Sequence, residues 1–243
     1  MLPRFLADAL DVAAGTARLD ADEARHMSQV LRLAPGDEVV VFDGAGREFR
    51  ARIERIARGG ADLRVMSELD PAAEPAVRLT LAQAALKGEK MDDVVRDATM
   101  MGVRTVEPLV TGNTVAHLGA GRAPERWRRI AIASAKQCRR AVVPAIGVGT
   151  MFADWLPADG AALRVILVEP AASVEGRPPS TLAGNRPESA SLLVGPEGGW
   201  TADEIASAVA AGCIPITLGR RTLRADAVPI VAIGVLQFVW GDL

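Results

Sequence analysis

Tyrosine is absent from this 243-residue sequence, aromatic residues make up 4% of it, and there are two cysteines and two histidines. Each shortage excludes something. Cys138 and Cys213 stand 75 positions apart, so they build no disulfide framework, and reduced, buried thiols are the expectation. Two cysteines and two isolated histidines do not make a structural zinc site, so no metal is expected. No uninterrupted apolar run approaches the roughly 20 residues that span a bilayer. The opening residues, Met-Leu-Pro-Arg-Phe-Leu-Ala-Asp, reach an acid too soon for a signal peptide. A cytoplasmic protein without a membrane partner is therefore expected. There is no Gly-x-x-x-x-Gly-Lys-Ser/Thr, and no Gly-x-Gly-x-x-Gly after a strand at the start of an α/β unit, which disfavours nucleoside triphosphates and ordinary dinucleotides.

What is present is ordinary for a globular chain: 49% apolar and 24% charged residues, enough for one large domain or two modest ones. The net charge of −2 hides an uneven distribution. Residues 1–70 carry ten arginines against thirteen acids, whereas residues 120–145 carry Arg122, Arg126, Arg128, Arg129, Lys136, Arg139 and Arg140 against Glu125. Such a local basic block suits an anion, including a phosphate backbone. Only three of the 28 basic residues are lysines.

Two grammars follow one another along the chain. Residues 38–54 read as a hairpin, with Phe49, Ala51 and Ile53 alternating with Arg50, Arg52 and Glu54. Residues 61–66 add a strand, and the Pro- and Ala-rich stretch 67–77 lacks periodicity. A β-rich domain at 1–70 and a linker at 71–77 are expected. Strands are then expected at 79–86, 106–110, 164–168, 192–195 and 214–218, with helices at 91–101, 126–140, 202–211 and 227–240. Alternating strands and helices imply a parallel sheet covered on both faces, an α/β domain at 78–243. On helical spacing, Trp127, Ile130, Ala131, Ser134 and Cys138 face inward. Arg126, Arg129, Ala133, Lys136 and Arg140 form a solvated stripe on the other side.

One turn is unusual. Ser191-Leu-Leu-Val-Gly-Pro-Glu-Gly-Gly-Trp200 runs from a buried strand into a proline, a carboxylate and two glycines, and Thr201-Ala-Asp-Glu204 then has the form of a capping box. The loop thus lies between the carboxyl end of a strand and a helix start, where open α/β sheets bind ligands. A second glycine-containing loop, Gly219-Arg-Arg-Thr-Leu-Arg-Ala-Asp226, follows the next strand.

Four segments occur in order: Gly88-Glu-Lys-Met91, Ile130-Ala-Ile-Ala-Ser-Ala-Lys-Gln-Cys138, Leu193-Val-Gly-Pro-Glu-Gly-Gly199 and Leu218-Gly-Arg-Arg-Thr-Leu-Arg-Ala-Asp226. Together they resemble the ribosomal RNA small subunit methyltransferase E family, from about His26 to Leu243. The resemblance implies a SPOUT-type methyltransferase domain with a C-terminal trefoil knot, preceded by a small PUA-like β-barrel domain. It implies S-adenosylmethionine as cofactor, 16S rRNA or the small ribosomal subunit as partner, a homodimer, and methylation of N3 of a uridine. The sequence departs from the family at Arg220, where proline is usual, at Ala225 and Asp226, where Thr-Glu is usual, and at Met100, which replaces an acid.

On this resemblance the cofactor is held by Val168, Glu169 and Pro170, by Val194, Gly195, Pro196, Glu197, Gly198 and Gly199, and by Leu218, Gly219 and Leu223. The catalytic candidates are Arg224 and Asp226. Arg224 has two readings: stabilising negative charge on a uracil oxygen, or pairing structurally with Asp226. Asp226 orients Arg224, or stabilises the sulfonium charge, or caps a helix. Glu197 either contacts the cofactor or partner subunit or binds backbone amides. The RNA candidates are Arg32, Arg128, Arg129, Lys136, Arg139 and Arg140, with His26 read as an RNA contact or a plain helix residue. Two other functions stay open: transfer to a ribose 2′-hydroxyl, and RNA binding without catalysis.

Overall fold

The structure, a computed structural model, describes residues 2–115, 122–184 and 186–243. Ala120 and Gly121, at the head of the basic block, lie outside the described residues. The chain forms two compact units, Met1–Glu74 with Ile132–Val143, and Pro75–Ala131 with Pro144–Leu243.

The first unit contains β1 (Arg4–Leu6), β2 (Ala9–Asp11), β3 (Thr16–Leu19), α1 (Ala21–Arg25), a π-helical turn (His26–Val30), β4 (Glu38–Phe42), β5 (Glu48–Ala57) and β6 (Gly60–Leu69). The strands form a six-stranded curled sheet in the order β1-β4-β5-β6-β3-β2. Only the β1–β4 pairing is parallel. The alternation in β5 works as period two requires: Phe49, Ala51 and Ile53 are buried and Arg50, Arg52 and Glu54 are exposed. Phe5, Leu19, Met27, Val41, Phe49 and Leu63 pack into one core.

β6 continues through residues 67–69, where the sequence alone suggested aperiodic chain. Pairing supplies what patterning lacks, because Ser67, Glu68 and Leu69 sit opposite Arg50, Phe49 and Glu48 of β5. The three short strands before α1 have no sequence signature of their own. β1 is specified by β4, more than 30 positions away, through the register Arg4↔Val40 to Leu6↔Phe42.

The second unit contains β7 (Arg78–Ala84), α2 (Lys90–Met100), β8 (Thr105–Val110), the first half of α3 (Arg122–Cys138), β9 (Ala145–Ile146), β10 (Thr150–Met151), α4 (Phe152–Ala158), β11 (Leu163–Leu167), β12 (Ser189–Val194), α5 (Ala202–Ala210), β13 (Ile214–Ile216) and α6 (Val228–Trp240). Its sheet is parallel throughout, in the order β10-β8-β7-β12-β11-β13, with β9 also pairing β8. β12 is central and buried on both faces, which explains its continuous apolar run. In α2, Met91, Val94, Val95 and Ala98 are buried at helical spacing. α5 opens on the expected capping box: Thr201 Oγ1 accepts from the Glu204 N–H at 3.2 Å, and Glu204 Oε2 accepts from the Thr201 N–H at 2.9 Å.

Strand order matters most for function. β11 lies between β12 and β13, so the loops leaving these three strands emerge together at one edge of the sheet.

Candidate functional site

The three loops enclose a cavity of about 310 Å3. From the loop after β11 come Val168, Glu169 and Pro170, and from the end of β12 and its loop come Val194, Gly195, Pro196, Glu197 and Gly199. Leu218, Leu223, Arg224 and Asp226 come from the loop after β13. Gly198 and Gly219 belong to the same loops without lining the cavity. Arg221, which stands beside Arg224 and Asp226 in the second glycine-containing loop, also lines the wall, and residues that sequence reasoning did not select complete it: Lys90, Leu167, Trp200, Thr217, Thr222, Ala225 and Val228. Lys90 was within reach, because it stands in the Gly-Glu-Lys-Met segment. Nothing local marks Leu167 or Val228, whose places depend on how the three loops converge.

The 195–199 loop is fastened from outside itself. Asn113 Nδ2 donates to the carbonyls of Gly198 and Gly199, each at 3.1 Å. Buried Gln83 in β7 donates to the Gly195 carbonyl at 3.4 Å. Trp200 Nε1 donates to the Leu167 carbonyl at 3.0 Å, tying the loop to β11. Gly199 has φ +69°, a left-handed conformation that suits glycine. A Cβ there would stand 3.2 Å from Glu169 Oε1, and a Cβ on Gly195 would stand 3.1 Å from Trp200 Nε1. Backbone therefore approaches the cavity closely at both glycines.

Glu197 takes a backbone amide, one of the alternatives its sequence context left open, and stands at the cavity. Its carboxylate lines the cavity, accepts from Lys90 Nζ at 2.7 Å and accepts from the Lys87 backbone N–H at 3.2 Å. Burial opposes its ionisation, yet the Lys90 hydrogen bond, the backbone donors and the Lys90 charge outweigh that and hold the carboxyl below its usual range.

The 219–226 loop is bonded mainly to itself. Arg224 Nε and Nη2 donate to the two oxygens of Asp226 at 3.1 and 3.0 Å. That fork lowers the Asp226 pKa, chiefly through the hydrogen bond, and raises that of Arg224. The Arg224 side chain is nevertheless 76% exposed, so water screens the pair and the guanidinium remains available at the cavity rim.

The basic block separates into different surroundings. Arg128 and Arg129 are exposed. Lys136 and Arg140 correct the expectation of a solvated stripe. Lys136 Nζ meets Glu23 at 2.7 and 2.9 Å and lies 5.2 Å from the Phe5 ring centroid. Arg140 is buried and forms a double contact with Glu74 at 2.9 and 2.5 Å. The reason for Arg140 is that α3 ends at Cys138 and Arg139 turns the chain at φ +66°, so a helical wheel no longer applies two residues on. Arg32 is exposed, also at positive φ, just after the π-helical turn. His26 is half-buried, edge-on to Phe5 at a centroid distance of 6.2 Å. Among the described residues no helix is long and apolar enough to cross a membrane, and no three His, Cys, Asp or Glu side chains cluster as a metal site.

A chain built of a small curled sheet and a parallel sheet with a loop-walled cavity matches two family models. The RNA methyltransferase domain matches residues 73–237, and the RNA methyltransferase PUA domain matches residues 19–66. Among relatives, the chain is 32% identical to Ribosomal RNA small subunit methyltransferase E of Synechocystis sp. over 230 residues, covering 91% of this chain and 73% of the relative. It is 32% identical to the protein of that name from Mycobacterium bovis over 250 residues, covering 97% and 92%. A crystal structure of Ribosomal RNA small subunit methyltransferase E from Neisseria gonorrhoeae bound to S-adenosyl methionine superimposes with TM-score 0.85 at 27% identity, covering 99% of this chain and 98% of that one. A probable rRNA-methyltransferase from Porphyromonas gingivalis gives 0.85 at 28% identity, covering 99% of both chains. The chain belongs to the ribosomal RNA small subunit methyltransferase E family.

Proposed function

We propose that the protein is an S-adenosylmethionine-dependent methyltransferase that methylates N3 of a uridine in 16S rRNA of the small ribosomal subunit. The observation that carries this reading is the glycine-walled cavity at the carboxyl edge of β11, β12 and β13. Its volume falls within the range of small-molecule sites. The residues suit the cofactor. Gly195 and Gly199 leave room for close main-chain approach, Val168, Leu218 and Leu223 offer apolar surface to a flat base, and Glu169 offers a carboxylate to positive charge.

S-adenosylmethionine supplies an electrophilic methyl group on a sulfonium sulfur. The chain's own residues must hold the acceptor in line, exclude water and deal with the proton on uridine N3. Arg224 would stabilise the imide anion left when uridine N3 gives up its proton to solvent, a charge that forms before methyl transfer and is neutralised as the bond from N3 to the methyl carbon forms. Asp226 orients the Arg224 fork. The same ion pair favours a second reading, in which Arg224 only holds the loop together.

Arg32, Arg128 and Arg129 are proposed to meet RNA phosphates. Arg139 is proposed for the same role, as are Lys136 and Arg140, which must first give up Glu23 and Glu74. A homodimer fits the apolar face of α6, where Val231 and Phe238 are exposed. Phe238→Asp should therefore leave a folded monomer, read by light scattering, while a monomeric wild-type protein with full activity would refute the dimer. A trefoil knot formed by the chain after β12 and β13 is part of the same proposal.

The deciding experiment combines calorimetry with S-adenosylmethionine and mass-spectrometric mapping of methylated 16S rRNA. Heat of binding and a base methyl on one uridine support the proposal. A ribose methyl reassigns the acceptor, and absence of heat leaves an RNA-binding protein.

A further inference from the structure

Many arginines of this protein are already engaged by acids. Arg126 holds Glu89 and Asp92, Arg140 holds Glu74, Arg64 holds Glu54 and Arg55 holds Asp62. The loop after β13 is arranged differently. It carries Arg220, Arg221 and Arg224 within five residues, and the acid within it, Asp226, is taken by Arg224. Arg220 and Arg221 are exposed and have no hydrogen-bond or ion-pair partner among the described residues. Arg221 also lines the cavity, and Gly219, at φ +108°, turns the chain immediately before the pair.

With Arg224 paired to Asp226, Arg220 and Arg221 remain as adjacent like charges that repel each other, and a bound anion relieves that repulsion. The cofactor carries one carboxylate against a sulfonium and an ammonium, so it does not account for two further arginines, and Arg220 lies off the cavity wall. A guanidinium fork matches a phosphate geometrically, and an unpaired one binds without first breaking an internal ion pair.

We infer that Arg220 and Arg221 grip the RNA backbone at the rim of the cavity, holding the phosphates that flank the acceptor nucleotide. This rests on the reading of the cavity as a uridine-methylating site. It shifts the principal phosphate contacts near the reaction from the α3 stripe, where Lys136 and Arg140 are neutralised, to the loop that carries Arg224. A grip there would fix the strand on both sides of the base while Arg224 attends to the base itself.

Full-length protein titrated with a 16S rRNA transcript at several potassium chloride concentrations tests this, with S-adenosylmethionine calorimetry alongside. Arg220 does not line the cavity. Arg220→Glu should therefore weaken RNA binding and lower the salt slope by about 0.7–0.9, the share of one phosphate contact, with cofactor affinity kept within twofold. Arg220→Gln should lower the slope likewise with a smaller loss of affinity, and it carries the test if the glutamate variant does not fold. A wild-type slope in both variants overturns the inference, as does a loss of cofactor binding with RNA affinity unchanged. Wild-type protein that takes up no S-adenosylmethionine overturns the underlying reading of the cavity instead, before any variant is compared.

Discussion

The loops 195–199 and 219–226 face the same cavity and are held in opposite ways. The first is fastened to Asn113, Gln83 and Lys90 and, through the Trp200 indole, to Leu167, all distant in the chain. The second relies on neighbours in sequence: Thr217 Oγ1 to the Gly219 carbonyl at 3.2 Å, the Arg224–Asp226 fork, and the N–H groups of Ala227 and Val228 on the Arg224 carbonyl. Non-local bonds pin a backbone to a rigid sheet, whereas local ones let a segment keep its shape while its side chains reach a second molecule. The difference separates two tasks. On the proposed function, the 195–199 loop would serve as a preformed cradle for the cofactor and the 219–226 loop as the arm that presents charge to the acceptor.

If that division holds, damage to the arm should appear in turnover and damage to the cradle in cofactor affinity. The largest effect should come from Arg224→Ala. Loss of a group that acts on developing charge typically lowers kcat by about 10²–10³, here with S-adenosylmethionine affinity preserved. Raising the pH should recover part of the rate by supplying the uracil anion from solution. Single-turnover kinetics across pH check this. Lost cofactor binding without recovery at high pH would make Arg224 structural and erase the division.

Next is Gly199→Val in the cradle. A β-branched side chain at φ +69° carries backbone strain of about 1–2 kcal/mol, and its Cβ meets Glu169. Cofactor affinity measured by calorimetry should fall by about tenfold or more while the protein stays folded.

The smallest effect belongs to Glu197→Gln, which removes the Lys90 ion pair at a partly exposed position. Because the folded-state pKa of Glu197 is depressed, its contribution to stability is present above the unfolded carboxylate value. It is lost as pH falls through the depressed value. The wild type should therefore lose stability on acidification below the ordinary glutamate range, and the glutamine variant should lose less over the same interval. Chemical denaturation at pH 7 and at several acidic values measures the difference. Parallel curves would show that Lys90 and Glu197 do not brace the loop.

Much of this was legible from residues alone because it depends on local chemistry. The alternation of Phe49, Ala51 and Ile53 marks a strand, the spacing of Met91, Val94, Val95 and Ala98 marks α2, and Thr201 with Glu204 marks the start of α5. The glycines of the 195–199 loop announce close backbone approach in the same way. Such signals need only neighbours within a few positions. By themselves they determined the β-rich first region, the alternating second region and the two loops able to carry chemistry.

Tertiary structure decided what depends on distant partners. It placed β1 beside β4, brought Lys90 to Glu197 from 107 positions away, and fastened Gly198 and Gly199 through Asn113. It also removed Lys136 and Arg140 from the solvated stripe, since Glu23 and Glu74 lie far from them in sequence. A charge pattern records which groups are ionic but not which of them are already neutralised. Only the fold, by bringing opposite charges within hydrogen-bonding distance, determines which arginines remain free to meet RNA.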